Sequence, residues 1–350
     1  MKDKFEFIFH CLHSLHRIIG QNKFDNNVNE KNSKLCYRTF TLKEIQQLTD
    51  KIVMVRPNYF GYNPETGVDN RFQHQSQSPE GQVREAALRE FGEMVTKLDS
   101  YGLSVVILDS PLGPNGEITP DAVFPNNWFS THPEKLVLYP MKAQNRRWER
   151  QPNKLKESLL GVNVLYPQTL DLTADENSGH ILEGTGSLVL DRVNKVAYAV
   201  ESQRTNEQEL NKWSMKMGYA PLFFHAIDFG GKPVYHTNVI MSIGEGFAVV
   251  CSEAIELADE KDKVVKSFAN TGKDVVEITM DQMYNMCGNI LQTSNIKGDN
   301  LIVMSERAQN AFNQNQLRVI EKNGLIVPVK IETIETVGGG SARCMMAEVF

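Results

Sequence analysis

The chain of 350 residues has no long apolar run. Nowhere do about 18 or more apolar residues follow one another uninterrupted, the length a membrane-crossing helix needs. An excess of one charge is missing too: 37 Lys and Arg stand against 43 Asp and Glu, mixed along the sequence for a net charge of -6. Without a cationic patch there is no electrostatic reason to expect a nucleic-acid or membrane-surface partner. Cysteine is scarce, and Cys11, Cys36, Cys251, Cys287 and Cys344 form neither a paired metal spacing nor an even disulfide framework. That usage points to a reducing, cytoplasmic setting. His180 lies close to Glu183, but no second histidine completes a ligand set, so no metal is expected. Gly184-Thr185-Gly186 and Gly338-Gly339-Gly340 lack the lysine or the full glycine pattern of nucleotide-binding loops, and no cofactor is expected.

What is present is the composition of a packed protein, with 41 % hydrophobic residues, 17 Phe and 10 Tyr, which excludes a disordered chain. Residues 1–48 read as an N-terminal appendage. Their apolar positions are interrupted by His10, His13, His16 and Arg17, unlike an export signal, and the polar stretch Asn26 to Lys34 follows. Residues 49–350 read as a single domain. It opens with a strand over Ile52–Val55 and a helix over Val83–Leu98 that carries one apolar stripe.

From there a unit of strand, strand, strand and helix repeats. The first copy holds Val105–Leu108, Phe124–Phe129, Lys135–Tyr139 and a helix from near Ala143. The second holds Val164–Tyr166, Ile181–Leu190, Val196–Val200 and a helix from Asn206 to Met217. The third and fourth follow the same order, with helices near Glu253–Phe268 and Ala308–Leu317. The fifth is short of a strand and a helix, which are the pieces the start of the chain supplies. A closed ring of five α/β units, an α/β propeller, accounts for the arrangement and leaves only short sheet edges.

Repeats around an axis converge on its centre. At the start of each middle strand stand Asn127, Glu183, His236 with Asn238, Asn289 and Cys344. Taken singly, each has an ordinary explanation: a turn cap for Asn126 or Asn289, a core position for His236 or Cys344. Glu183 is harder to explain that way, because a carboxylate among apolar neighbours needs a partner, and a histidine across a small cavity is the natural one. A thiol, an imidazole and a carboxylate from three units make a nucleophilic cysteine site. Three consecutive glycines allow the tight backbone that presents Cys344, and the neighbouring Arg343 favours a thiolate by charge.

These residues resemble the pentein superfamily, the fivefold α/β propellers that include arginine deiminases, dimethylargininases and amidinotransferases, and above all its citrulline-utilisation hydrolases. The likeness covers about Lys51 to Phe350. It rests on Phe124-Pro125-Asn126-Asn127-Trp128-Phe129, Leu182-Glu183-Gly184-Thr185-Gly186, His236-Thr237-Asn238-Val239 and Ser341-Ala342-Arg343-Cys344-Met345 in combination. The resemblance implies Cys344 as covalent nucleophile, His236 as general acid and base, and Glu183 as the carboxylate gripping the substrate's terminal nitrogens. It also implies Arg204 as an anchor for an amino-acid carboxylate, with Asn126, Asn127, Asn238 and Arg343 around the substrate. Arginine deiminases have aspartate where Asn127 and Asn238 stand. Asparagine removes the negative charge that neutralises a guanidinium and offers an amide suited to a neutral ureido group. The expected activity is therefore hydrolysis of citrulline to ornithine, ammonia and carbon dioxide. The alternatives are arginine or dimethylarginine hydrolysis, amidine transfer, and a non-catalytic amino-acid-binding protein. A small amino acid is the expected partner, and assembly into a homo-oligomer stays open.

Overall fold

The structure is a computed structural model, and it describes residues 45–350, which form one compact unit. The appendage expected over 1–48 lies almost wholly outside the described residues.

Among the described residues fifteen strands form five three-stranded sheets. In chain order they are β1 (Lys51–Arg56), β2 (Ser104–Asp109), β3 (Phe129–His132), β4 (Lys135–Leu138), β5 (Gln168–Asp171), β6 (Val189–Asp191), β7 (Val196–Val200), β8 (Ala220–Phe224), β9 (Met241–Ile243), β10 (Phe247–Val250), β11 (Asp274–Glu277), β12 (Leu291–Ser294), β13 (Asn300–Ser305), β14 (Leu325–Val329) and β15 (Ala347–Glu348). Each sheet has one plan: a central strand pairs antiparallel with one neighbour and parallel with the other. The antiparallel pair β3–β4 closes through a tight turn in which Glu134 takes a φ of 63°. A parallel partner needs a crossover, and a helix supplies it.

The central strands β1, β4, β7, β10 and β13 are nearly continuous apolar runs, as strands covered on both faces must be. One face meets the outer helices. The helix Glu80–Ser100, for example, buries Val83, Ala87, Phe91, Met94 and Leu98, an i, i+4, i+3 stripe, against the sheet β15–β1–β2. Ring closure is as expected. β1 pairs with β15 in the register Ile52 to Glu348 and Val53 to Ala347, so the chain's last strand and the first described one share a sheet. The Phe350 backbone N–H donates to Thr131 Oγ1 at 2.9 Å, tying the closing strand to the next unit.

Several elements differ from expectation. The strand of the second unit is Gln168–Asp171, not Val164–Tyr166. Val164 and Tyr166 are apolar because they pack on the core beneath, whereas β5 is an edge strand, largely exposed, whose pairing with β4 is made by backbone. Nor is Ile181–Leu190 a strand throughout: Gly184–Ser187 is one helical turn, and only Val189–Asp191 joins the sheet. The same turn recurs at Pro125–Asn127 and Thr237–Ile240. Asn127, Glu183, His236 and Asn238 thus stand on, or at the head of, short helical turns that precede β3, β6 and β9, which carries their side chains off the sheets. Among the described residues no helix is long and apolar enough to cross a membrane.

Candidate active site

Glu183 immediately precedes the turn Gly184–Ser187, where its own N–H donates to Ser187 Oγ at 2.9 Å. Its carboxylate is completely buried and both oxygens are taken. Oε1 accepts from the Lys142 backbone N–H at 3.0 Å, and Oε2 meets His236 Nε2 at 2.9 Å with Arg204 Nη1 at 3.6 Å. Burial works against the charged form, but the Arg204 guanidinium and the His236 hydrogen bond win and hold the carboxyl well below the usual range. His236 stands at the head of the turn Thr237–Ile240, which is pinned to the neighbouring unit by Thr237 Oγ1 donating to Ser187 O at 2.6 Å. Burial lowers its pKa, and Glu183 only partly offsets that, so the imidazole is neutral at pH 7. The sequence left two roles for the acid, orienting the histidine or gripping the substrate. In this geometry Glu183 is committed to His236.

Cys344 sits on the turn that leads into β15, its N–H donating to Ser341 O at 2.9 Å. The glycines before it are needed for two reasons. Gly339 has a φ of 66°, and a Cβ there would lie 2.6 Å from Asn70 Nδ2. Side chains at Gly338 or Gly340 would strike the Phe124 ring at 2.8 Å. The Cys344 sulfur receives two amides, Asn289 Nδ2 at 3.2 Å and Asn238 Nδ2 at 3.4 Å, and Asn289 also donates to Asn238 O at 2.9 Å. Asn289, readable in the sequence as a turn cap, is thus a direct neighbour of the thiol.

Asn127 ends the turn Pro125–Asn127, and its Oδ1 accepts from Arg146 Nη1 at 2.7 Å. A guanidinium only donates, so this contact fixes the amide's orientation and leaves Nδ2 buried without a partner. That Nδ2 lies beside His236: a Cβ on Gly186 would stand 2.3 Å from Asn127 Nδ2 and 2.8 Å from the His236 ring. Asn126 is also fully buried, with neither polar atom of its amide paired.

Asn127, His236, Cys344, Arg146, Arg204 and Asp121 share one cavity of about 10 Å³, space for a single water. Arg204 is held there by Asp69, whose Oδ1 accepts from Nε at 3.2 Å, and by Thr66 O at 3.1 Å. Asp69 also pairs with Lys142 Nζ at 2.6 Å.

Arg343 is placed elsewhere. Its guanidinium donates to Glu348 Oε2 and to Met346 O, both at 2.8 Å, and lines a separate chamber, so it is neither at the cavity nor set against the sulfur. The sequence reading missed Arg146, Asp121 and Asp69. Asn145-Arg146-Arg147 looks like a solvated helix face, yet Arg146 is completely buried, closed by Glu149 at 3.0 and 2.9 Å. Among the described residues one group has metal-ligand chemistry, Asp175, His180 and Glu209, but the Lys212 ammonium already lies 3.1 and 3.2 Å from its two acids.

The sequence model of a family described as N,N dimethylarginine dimethylhydrolase, eukaryotic, matches residues 56–350. The chain belongs to this family. That family falls in the pentein superfamily, and the five repeated three-stranded sheets flanked by helices match the fivefold fold of that group. No curated protein matches. Among solved structures it is similar to ArgZ, an arginine dihydrolase from the ornithine-ammonia cycle in cyanobacteria, at 16 % identity and a TM-score of 0.63, covering 85 % of this chain but 40 % of that one. The chain therefore spans well under half of full-length ArgZ. It covers 97 % of the N-terminal domain of ArgZ bound to product, again at 16 % identity, with 86 % of this chain included and a TM-score of 0.63. A third likeness is to DDAH from Pseudomonas aeruginosa complexed with citrulline, at 13 % identity and a TM-score of 0.59, over 86 % of this chain and all of that one.

Proposed function

We propose that this protein, through a single catalytic domain over residues 49–350, hydrolyses the ureido group of citrulline by covalent thiol catalysis, giving ornithine, ammonia and carbon dioxide. The observation that carries the choice of substrate is the Asn127 amide. Its acceptor is consumed by Arg146, so it presents a donor to the cavity. A guanidinium has no acceptor for that N–H, whereas a ureido carbonyl oxygen has one. Leaving the donor buried and unpaired costs about 1–3 kcal/mol, which a bound carbonyl offsets.

The steps follow from the residues. Arg204 takes the substrate's α-carboxylate through paired donors, displacing Asp69 from that role. Neutral His236 accepts the Cys344 thiol proton as sulfur adds to the ureido carbon, and Asn127 Nδ2 steadies the oxygen as it gains charge. The bond from carbon to the side-chain nitrogen breaks, that nitrogen takes the proton from His236, and ornithine leaves a carbamoyl group on Cys344. Water then gives a proton to His236 and its oxygen to the carbon. The C–S bond breaks, the sulfur is reprotonated, and the carbamate released falls apart to ammonia and carbon dioxide. Glu183 holds the imidazole and balances its charge while it is protonated.

A second reading, arginine or dimethylarginine as substrate, is favoured by the family's name and by the arginine dihydrolase likeness. Purified protein incubated with citrulline, arginine and dimethylarginine decides between them. Ornithine from citrulline supports the proposal; conversion of arginine or dimethylarginine to citrulline without ornithine overturns it.

A further inference from the structure

Apart from the catalytic cavity there is a second chamber of about 30 Å³, lined by Asn238, the residue whose amide reaches the Cys344 sulfur. That is room for two waters or one small oxyanion. Its charged lining is Arg192, Arg343 and Glu348, all buried. Both guanidinium groups converge on the same carboxylate oxygen, Glu348 Oε2, at 3.4 Å from Arg192 and 2.8 Å from Arg343. Two positive charges thus share one negative charge. The next acid along, Asp191, is already matched by Lys273 at 3.1 Å. A surplus buried cation is costly unless an anion compensates it. Two further lining residues carry buried polar atoms without partners, the Ser242 hydroxyl and Asn238 Oδ1.

We infer that this chamber binds a small planar oxyanion of the bicarbonate or carbamate class, between the Arg192 and Arg343 guanidinium groups and the Ser242 hydroxyl. The binding stands on the lining alone. Its relation to turnover rests on the hydrolysis proposed above: carbamate and bicarbonate are the one-carbon products expected, and Asn238 contacts the Cys344 sulfur at 3.4 Å while also lining this chamber. Such a site would hold the one-carbon product one side chain, Asn238, away from the thiol.

The test is titration of the full chain with ¹³C-labelled bicarbonate near pH 8, followed by ¹³C line broadening. Saturable binding that excess citrulline does not displace is expected. Glu348→Gln removes the competing carboxylate and should tighten binding about tenfold, and Ser242→Ala should weaken it several-fold. Arg192→Gln should abolish it; if that variant fails to fold, the opposite shifts at Glu348 and Ser242 still decide. No saturable binding, equal affinity in the wild type and both of those variants, displacement by citrulline, or chloride binding as tightly as bicarbonate overturns the inference. In turnover assays bicarbonate should inhibit ornithine release noncompetitively against citrulline. A protein inactive on citrulline removes only this kinetic arm and leaves the binding result standing.

Discussion

Asn127→Asp exchanges the unpaired amide donor at the cavity for an acceptor while preserving shape and the contact with Arg146. If Asn127 Nδ2 bonds the ureido oxygen, the substitution removes a hydrogen bond that strengthens as that oxygen gains charge. Such a bond is worth about 2–3 kcal/mol, so kcat/KM for citrulline should fall about 30- to 150-fold. The new carboxylate has an oxygen free for guanidinium N–H groups, so conversion of arginine to citrulline should rise in the same variant. Asn127→Ala separates the effects: it loses citrulline turnover without gaining any on arginine. Ornithine and citrulline are quantified against each substrate. Citrulline hydrolysis by N127D within threefold of wild type, or wild-type protein that already deiminates arginine as efficiently as it hydrolyses citrulline, would refute the reasoning.

Gly186→Ala should cut kcat by more than about 100-fold with circular dichroism unchanged, because its Cβ would push Asn127 Nδ2 from 2.3 Å and the His236 ring from 2.8 Å; retained activity would show that neither group is held in place by this contact. Asp69→Asn removes the counterion that Arg204 must give up to a substrate carboxylate, and we expect a several-fold lower KM with little change in kcat. An unchanged KM would remove Arg204 as the carboxylate anchor. On acidification His236 and Glu183 should each lose a stabilising contribution, while Glu149, whose carboxyl burial raises to about 7, contributes in the opposite sense. His236 is harder to protonate in the folded protein than its ordinary value of 6.5, so the unfolded chain binds more protons below that pH and stability declines there. Glu183 is depressed from 4.5, so its contribution is present above pH 4.5 and lost as pH falls below it. Urea unfolding of the wild type and His236→Gln at pH 7, 5.5 and 4 reads the His236 contribution as the difference between the two, because the buried His132, also lowered, contributes equally to both.

Much of the site was legible because a repeat makes side chains comparable by position. Asn127, Glu183, His236, Asn238, Asn289 and Cys344 occupy one station in five units, and a ring brings equal stations to its axis. Arg343 misled because adjacency in sequence says nothing about direction: the residue next to Cys344 points to Glu348 and the second chamber. Arg146 was invisible for a related reason. Its charge marks it as a surface residue until Glu149, three positions on, is seen buried with it.

Hydrophobic period and repetition, read along the chain, were enough to establish five α/β units and the completion of the last by the strand Lys51–Arg56, since these depend on local patterns that recur. The tertiary structure alone decided which atom of Asn127 faces the cavity, that Glu183 spends its charge on His236 and Arg204, and that Arg343 serves another chamber. Those outcomes depend on which donors and acceptors meet once the chain is folded, whether 53 residues apart, as Glu183 and His236 are, or 19, as Asn127 and Arg146 are, and hydrogen-bond valence, unlike hydrophobicity, leaves no periodic trace in sequence.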